Sequence, residues 1–130
     1  MPSISAEQLN QLFDSTNWPR FDHIEQANEL VRAQAFVPST LSYFAGHFPE
    51  QAVLPGVVQV HWAGELAQRL FGLSNFRELK SVKFNNMILP EQVITLELKH
   101  SSAKGSVRFS YTSGDDKFSN GMFSFTLAAS

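Results

Sequence analysis

One stretch of this chain has helical spacing, and nearly everything after it alternates as strands do. From Gly56 to Phe71, apolar or small residues recur at Val57, Val60, Gly64, Ala67 and Phe71, the interval of one helical face. The small residues Ala63, Gly64 and Ala67 predict a helix packed closely on both sides, and Gly72 is placed to cap its end. Downstream, the segments 76–84, 92–100, 106–112 and 118–127 alternate with period two, with turns at Gly105 and at Ser113-Gly114-Asp115-Asp116. One long helix cannot cover its own apolar surface. An α+β fold, with a single antiparallel sheet wrapped around a long central helix, satisfies both helix and strands.

The upstream half is shorter in signal. Ser5-Ala6-Glu7-Gln8 reads as a capping box that opens a short helix, with Leu9, Leu12 and Phe13 on one face. Trp18-Pro19 closes that element, so residues 1–24 are expected to form an N-terminal helical extension. Residues 25–37 alternate in part and are expected to form one strand, stopped by Pro38, although Glu29 to Ala35 would also tolerate a helix. Residues 38–55, with Pro38, Gly46, Pro49 and Pro55, are loop. With 130 residues and no internal repeat or linker, the chain is expected to be one domain over 1–130.

Composition narrows the function classes. The net charge is −2 and the lysines at 80, 83, 99 and 104 are scattered, which argues against nucleic-acid binding. There are no cysteines, so disulfide and thiolate chemistry are excluded. A polar N-terminus without a long apolar run predicts a cytoplasmic protein that does not insert into a membrane. Phe supplies 12 of the 16 aromatic residues, a content suited to a core that also lines an apolar pocket.

The chemistry-bearing residues gather around the helix start. His47 sits in Tyr43-Phe44-Ala45-Gly46-His47-Phe48-Pro49, and Leu54-Pro55-Gly56-Val57 opens the helix a few residues later. A neutral histidine titrates near physiological pH and can take a proton from carbon. Backbone N–H groups at a helix start, aided by the helix dipole, stabilise a developing oxyanion. Gly56 lets a ligand approach the backbone, and Pro55 stiffens the turn. His61 and Glu65 are four residues apart on the helix, hence on one face. Glu65 is placed to orient His61 or to act as a carboxyl group itself. No third ligand accompanies this pair, so no metal is expected, and no cofactor either. His23 and His100 read as surface residues. Phe44, Phe48, Pro55, Val57 and Trp62 are candidates to line an apolar substrate pocket, while Phe71 reads as core.

The run Gly46-His47-Phe48-Pro49, then Leu54-Pro55-Gly56-Val57-Val58, resembles the 3-hydroxyacyl-acyl-carrier-protein dehydratases of type II fatty-acid synthesis. Leu79-Lys80-Ser81-Val82-Lys83-Phe84 followed by Leu89-Pro90 is similar to that family's next segment. The likeness runs over about residues 27–127, sharpest over 43–68, and looks closest to the dehydratase-like proteins of aryl-polyene clusters. It implies the hot-dog fold, an acyl carrier protein thioester as substrate, and a homodimer, or a higher assembly of dimers, with the active site at the subunit interface. It implies His47 as catalytic base and Gly56 as the donor to the thioester carbonyl. His61 falls where the family carries a Glu or Asp from the other subunit. Ala52 stands in place of a proline, and Glu91-Gln92 in place of Gly-Asp. Two rival readings share the fold: a thioesterase with Glu65 as base for water, and a non-catalytic acyl-binding subunit that has lost the acid.

Overall fold

The computed structural model of the chain describes residues 4–44, 52–73 and 76–125. Helix α1 spans Ala6–Leu12, and strands β1 (Arg20–Ala27) and β2 (Leu30–Phe36) follow it. A short 3-10 turn at Ser42–Phe44 precedes helix α2 (Gly56–Phe71). Then come β3 (Phe76–Phe84), β4 (Val93–Ser101), β5 (Ser106–Ser113) and β6 (Asp116–Phe125). The strands form one sheet in the order β1-β2-β4-β5-β6-β3, and every neighbouring pair is antiparallel. No described helix is long and apolar enough to cross a membrane.

The helix ends are where their residues put them. Ser5 accepts from the Gln8 N–H while the Gln8 side chain accepts from the Ser5 N–H, completing the capping box. Gly72 ends α2 at φ 64, a left-handed conformation that glycine adopts without strain. Leu9 and Phe13 are buried as expected, but Leu12 is 51% exposed and does not join that face.

Upstream of α2 the structure corrects the sequence reading. Residues 25–37 are not one strand. They straddle a tight β1–β2 hairpin whose turn holds Asn28 at φ 53, and the sheet begins at Arg20, within the expected helical extension. Asn tolerates the left-handed region because its short side chain bonds locally. An Asn-Glu turn lacks the glycine that advertises a hairpin, so the sequence pattern carries no break there.

The core lies between one face of the sheet and α2. Its register explains its small residues. Val31, Leu98, Phe109 and Gly121 oppose one another across β2, β4, β5 and β6. A Cβ on Gly121 would lie 2.7 Å from the Phe109 ring, so this position has room only for hydrogen. Helix α2 buries Val58, Gln59, Trp62, Ala63, Leu66 and Ala67. That face is offset from the expected stripe: Val57 is 78% exposed and Val60 half-buried. The helix is therefore apolar on two sides, one turned to the core and the other to a cavity.

Candidate functional site

The cavity sits at the start of α2. Pro55 is the N-cap, extended at φ −60 and ψ 145, and it brings no side-chain acceptor to the helix end. Its carbonyl accepts from the Val58 and Gln59 N–H groups at 3.1 and 3.3 Å. The N–H groups of Gly56 and Val57 have no acceptor among the described residues, as the first donors of a helix do unless something caps them. They open beside an apolar cavity of about 900 Å³, walled by the 53–57 turn, Gln59 and Val60 on one side and by Leu79, Val82, Phe84 and the 85–87 loop on the other. A smaller neighbouring cavity shares Val53, Asn86 and Met87 and reaches Phe118.

Phe84 roofs this corner. A Cβ on Gly56 would lie 2.6 Å from the tip of the Phe84 ring, so glycine is what lets that ring close over the helix start. The sheet holds the opposite wall by a bulge. Ser81 takes φ 56, the β3–β6 register shifts between Lys80 and Lys83, and Val82 is the one half-buried residue of β3.

Of the residues singled out from sequence, Pro55, Gly56 and Val57 line the cavity. His47 and Phe48 lie outside the described residues. Phe44 and Trp62 sit in the core and not on the cavity wall; the Trp62 indole N–H donates to the Asn17 carbonyl at 2.9 Å, and its ring lies 6.1 Å from that of Trp18. An indole needs a partner for its N–H when buried, and the N-terminal segment supplies it. His61 is exposed, with its ring 5.7 Å from that of Trp18. Glu65 is half-buried, and no hydrogen bond or ion pair joins it to His61 among the described residues. Neither His61 nor Glu65 lines the cavity of its own chain. Phe71 is half-buried against His100, with ring centroids 4.8 Å apart.

Sequence reading missed the β3 wall and Gln59. The β3 residues carry no local signal, because their role depends on which strand flanks α2. Gln59 was detectable as the one amide inside the apolar run Val57-Val58-Gln59-Val60 that opens the helix.

A six-stranded antiparallel sheet packed on one principal helix, with a helix start beside an apolar cavity, defines an α+β hot-dog fold. The sequence profile of the ApeI-like family, described as ApeI dehydratase, matches residues 23–122, and the chain belongs to that family. The 3-hydroxyacyl-[acyl-carrier-protein] dehydratase FabZ of Chlamydia trachomatis is 34% identical over 110 residues, covering 75% of this chain and 72% of its own. The FabZ proteins of Clostridium novyi and Novosphingobium aromaticivorans are 30% and 29% identical, and this chain spans 66% and 57% of their lengths. Among solved structures, a chain of the dehydratase heterocomplex ApeI:P from Xenorhabdus doucetiae superposes with a TM-score of 0.76 at 30% identity, covering 82% of this chain and 96% of that one. An uncharacterised protein from Erwinia carotovora gives 0.71 at 30% identity, covering 83% and 93%. A hypothetical thioesterase from Streptococcus pneumoniae shares the fold, with a TM-score of 0.67 at 12% identity over 91% of this chain and 99% of its own.

Proposed function

We propose that this protein dehydrates a 3-hydroxyacyl thioester, carried on acyl carrier protein, to the trans-2-enoyl thioester in the cytoplasm. The observation that carries the reading is the pair of N–H groups, Gly56 and Val57, that have no acceptor among the described residues and stand beside an apolar cavity. In this reading the sheet wraps α2 and the two together wall the acyl channel. His47 takes the C2 proton, and negative charge builds on the thioester oxygen, where the Gly56 N–H receives it. The electron pair forms the C2=C3 bond as the C3–O bond breaks. The hydroxyl leaves as water, taking its proton from His61 of the partner subunit directly or through a water that His61 of the partner subunit orients, with Glu65 holding that imidazole. In this reading the site is built across a homodimer, and His61, exposed on α2, is within reach of a second subunit.

The test is incubation with 3-hydroxyacyl carrier proteins of several chain lengths, following the enoyl product. Wild type is expected to turn over, and His47→Ala to lose about 10²–10⁴-fold in kcat. Absence of product at every chain length overturns the proposal. Release of free thiol without enoyl product would instead point to hydrolysis.

A second reading is an acyl-binding subunit whose acid is supplied by a different chain. His61 at the acid position favours it, and so does the description of the Xenorhabdus doucetiae relative as a heterocomplex. An inert wild type that gains dehydration on His61→Glu would select this reading.

A further inference from the structure

Gln59 lies on the sheet-facing side of α2, only 3% exposed, where an apolar side chain would pack without desolvation. Its partners show what the amide does there. Its Oε1 accepts from the Ser119 hydroxyl of β6 at 2.6 Å, and its Nε2 donates to the Leu54 carbonyl at 3.3 Å. Its own backbone carbonyl accepts from the Tyr111 hydroxyl of β5 at 2.6 Å. One residue thus links two central strands to the turn that precedes α2. The far side of that turn is held too, since the Leu54 N–H donates to the Ile88 carbonyl at 2.8 Å.

Among the described residues the turn has few other restraints. Pro55 has no N–H, and its carbonyl is used by the helix. The placement of Leu54 therefore sets that of Pro55, and with it the direction of the Gly56 and Val57 N–H groups. We propose that Gln59 is a positioning residue: through Ser119 it locks the Leu54-Pro55-Gly56 turn to the sheet, so that the first N–H groups of α2 meet the thioester oxygen in fixed geometry. The proposal rests on the dehydratase reading for its chemical consequence, and on the Leu54 and Ser119 hydrogen bonds for its mechanical one.

The experiment separates the two. Gln59→Leu keeps size and removes both side-chain bonds; Ser119→Ala releases the amide from β6 without touching α2. Without substrate, amide hydrogen exchange at Leu54 and Val58 is expected to rise at least about tenfold in Gln59→Leu, while the β4–β5 core amides stay protected. With 3-hydroxyacyl carrier protein, kcat is expected to fall on the order of 10²-fold with KM little changed, because misplaced donors lose the transition state more than the ground state. Ser119→Ala should move both readouts in the same direction by less. Unchanged exchange at Leu54 and Val58 in both variants overturns the proposal, as does loosening spread evenly through the core. So does a loosened turn with unaltered kcat in an active protein. If wild type makes no enoyl product, the dehydratase reading fails, and localised exchange still supports the anchoring role.

Discussion

Tyr111 carries its hydroxyl into the core and spends it on the Gln59 carbonyl. Burial pushes the phenol well above its ordinary value of 10.0. The linkage has a definite sign. Below about pH 10 the phenol is protonated in folded and unfolded chains alike, and its contribution is fully present. Above that pH the unfolded chain releases the proton and the folded one does not, so stability falls as pH rises toward the folded-state value, by up to about 1.4 kcal/mol per pH unit. Tyr43, raised by burial and by the nearby Asp14, adds to the same alkaline loss. Tyr111→Phe is expected to cost about 1 kcal/mol at pH 7 through the lost hydrogen bond. It should also flatten the decline above pH 10. Urea unfolding of both proteins between pH 8 and 11 measures this, and parallel declines would contradict it.

At the scale of elements, the central strands are fitted to one another ring by ring. Gly121 faces Phe109 in register, and that ring is buried, so it cannot swing away from an added methyl group. Gly121→Ala is expected to destabilise the fold by about 1–3 kcal/mol, read as a lower urea midpoint at unchanged slope. Gly56→Ala would meet Phe84 at similar distance, but that ring is 54% exposed and can yield. The same contrast separates what was legible in the sequence from what was not. The α1 capping box, both ends of α2 and the strands after it rest on local chemistry, and the chain states them openly. The β1–β2 hairpin did not announce itself because Asn28-Glu29 substitutes for a glycine turn. Glu91 does the same at φ 68, where the family resemblance expects glycine, while the Gln92 side chain accepts from the Leu89 N–H. The Pro55-Gly56 helix start was legible because helix starts carry their own signature, and it is this start that borders the cavity. The core setting of Trp62 was not legible because its partner, the Asn17 carbonyl, is distant in sequence. The β3 wall was invisible for the same reason.

At the scale of the whole molecule, the two edges of the sheet are treated differently. At β1 the Asn10 side chain both donates to and accepts from the Phe21 backbone, each at 2.8 Å, and Arg20, Asp22, His23 and Glu25 stud the strand. Such charges and cover are how proteins close an edge. The β3 edge has β6 on one side only, and Phe76, Leu79 and Phe84 are exposed along it. Val57 and Met87 add to that apolar surface beside the cavity mouth. A second copy pairing there would cover both the edge and this apolar surface. Sedimentation is expected to give a dimer of the 14.6 kDa chain, and Leu79→Asp a monomer with its strand content intact. A sharper test joins assembly to chemistry. His47→Ala and His61→Ala are each expected to be nearly inactive alone. If every site takes His47 from one subunit and His61 from the other, a mixed dimer holds one intact site of its two. Random exchange at equal amounts then restores about a quarter of wild-type activity. A site contained within one subunit gives no recovery in that mixture, and an active His61→Ala protein removes His61 from the chemistry altogether.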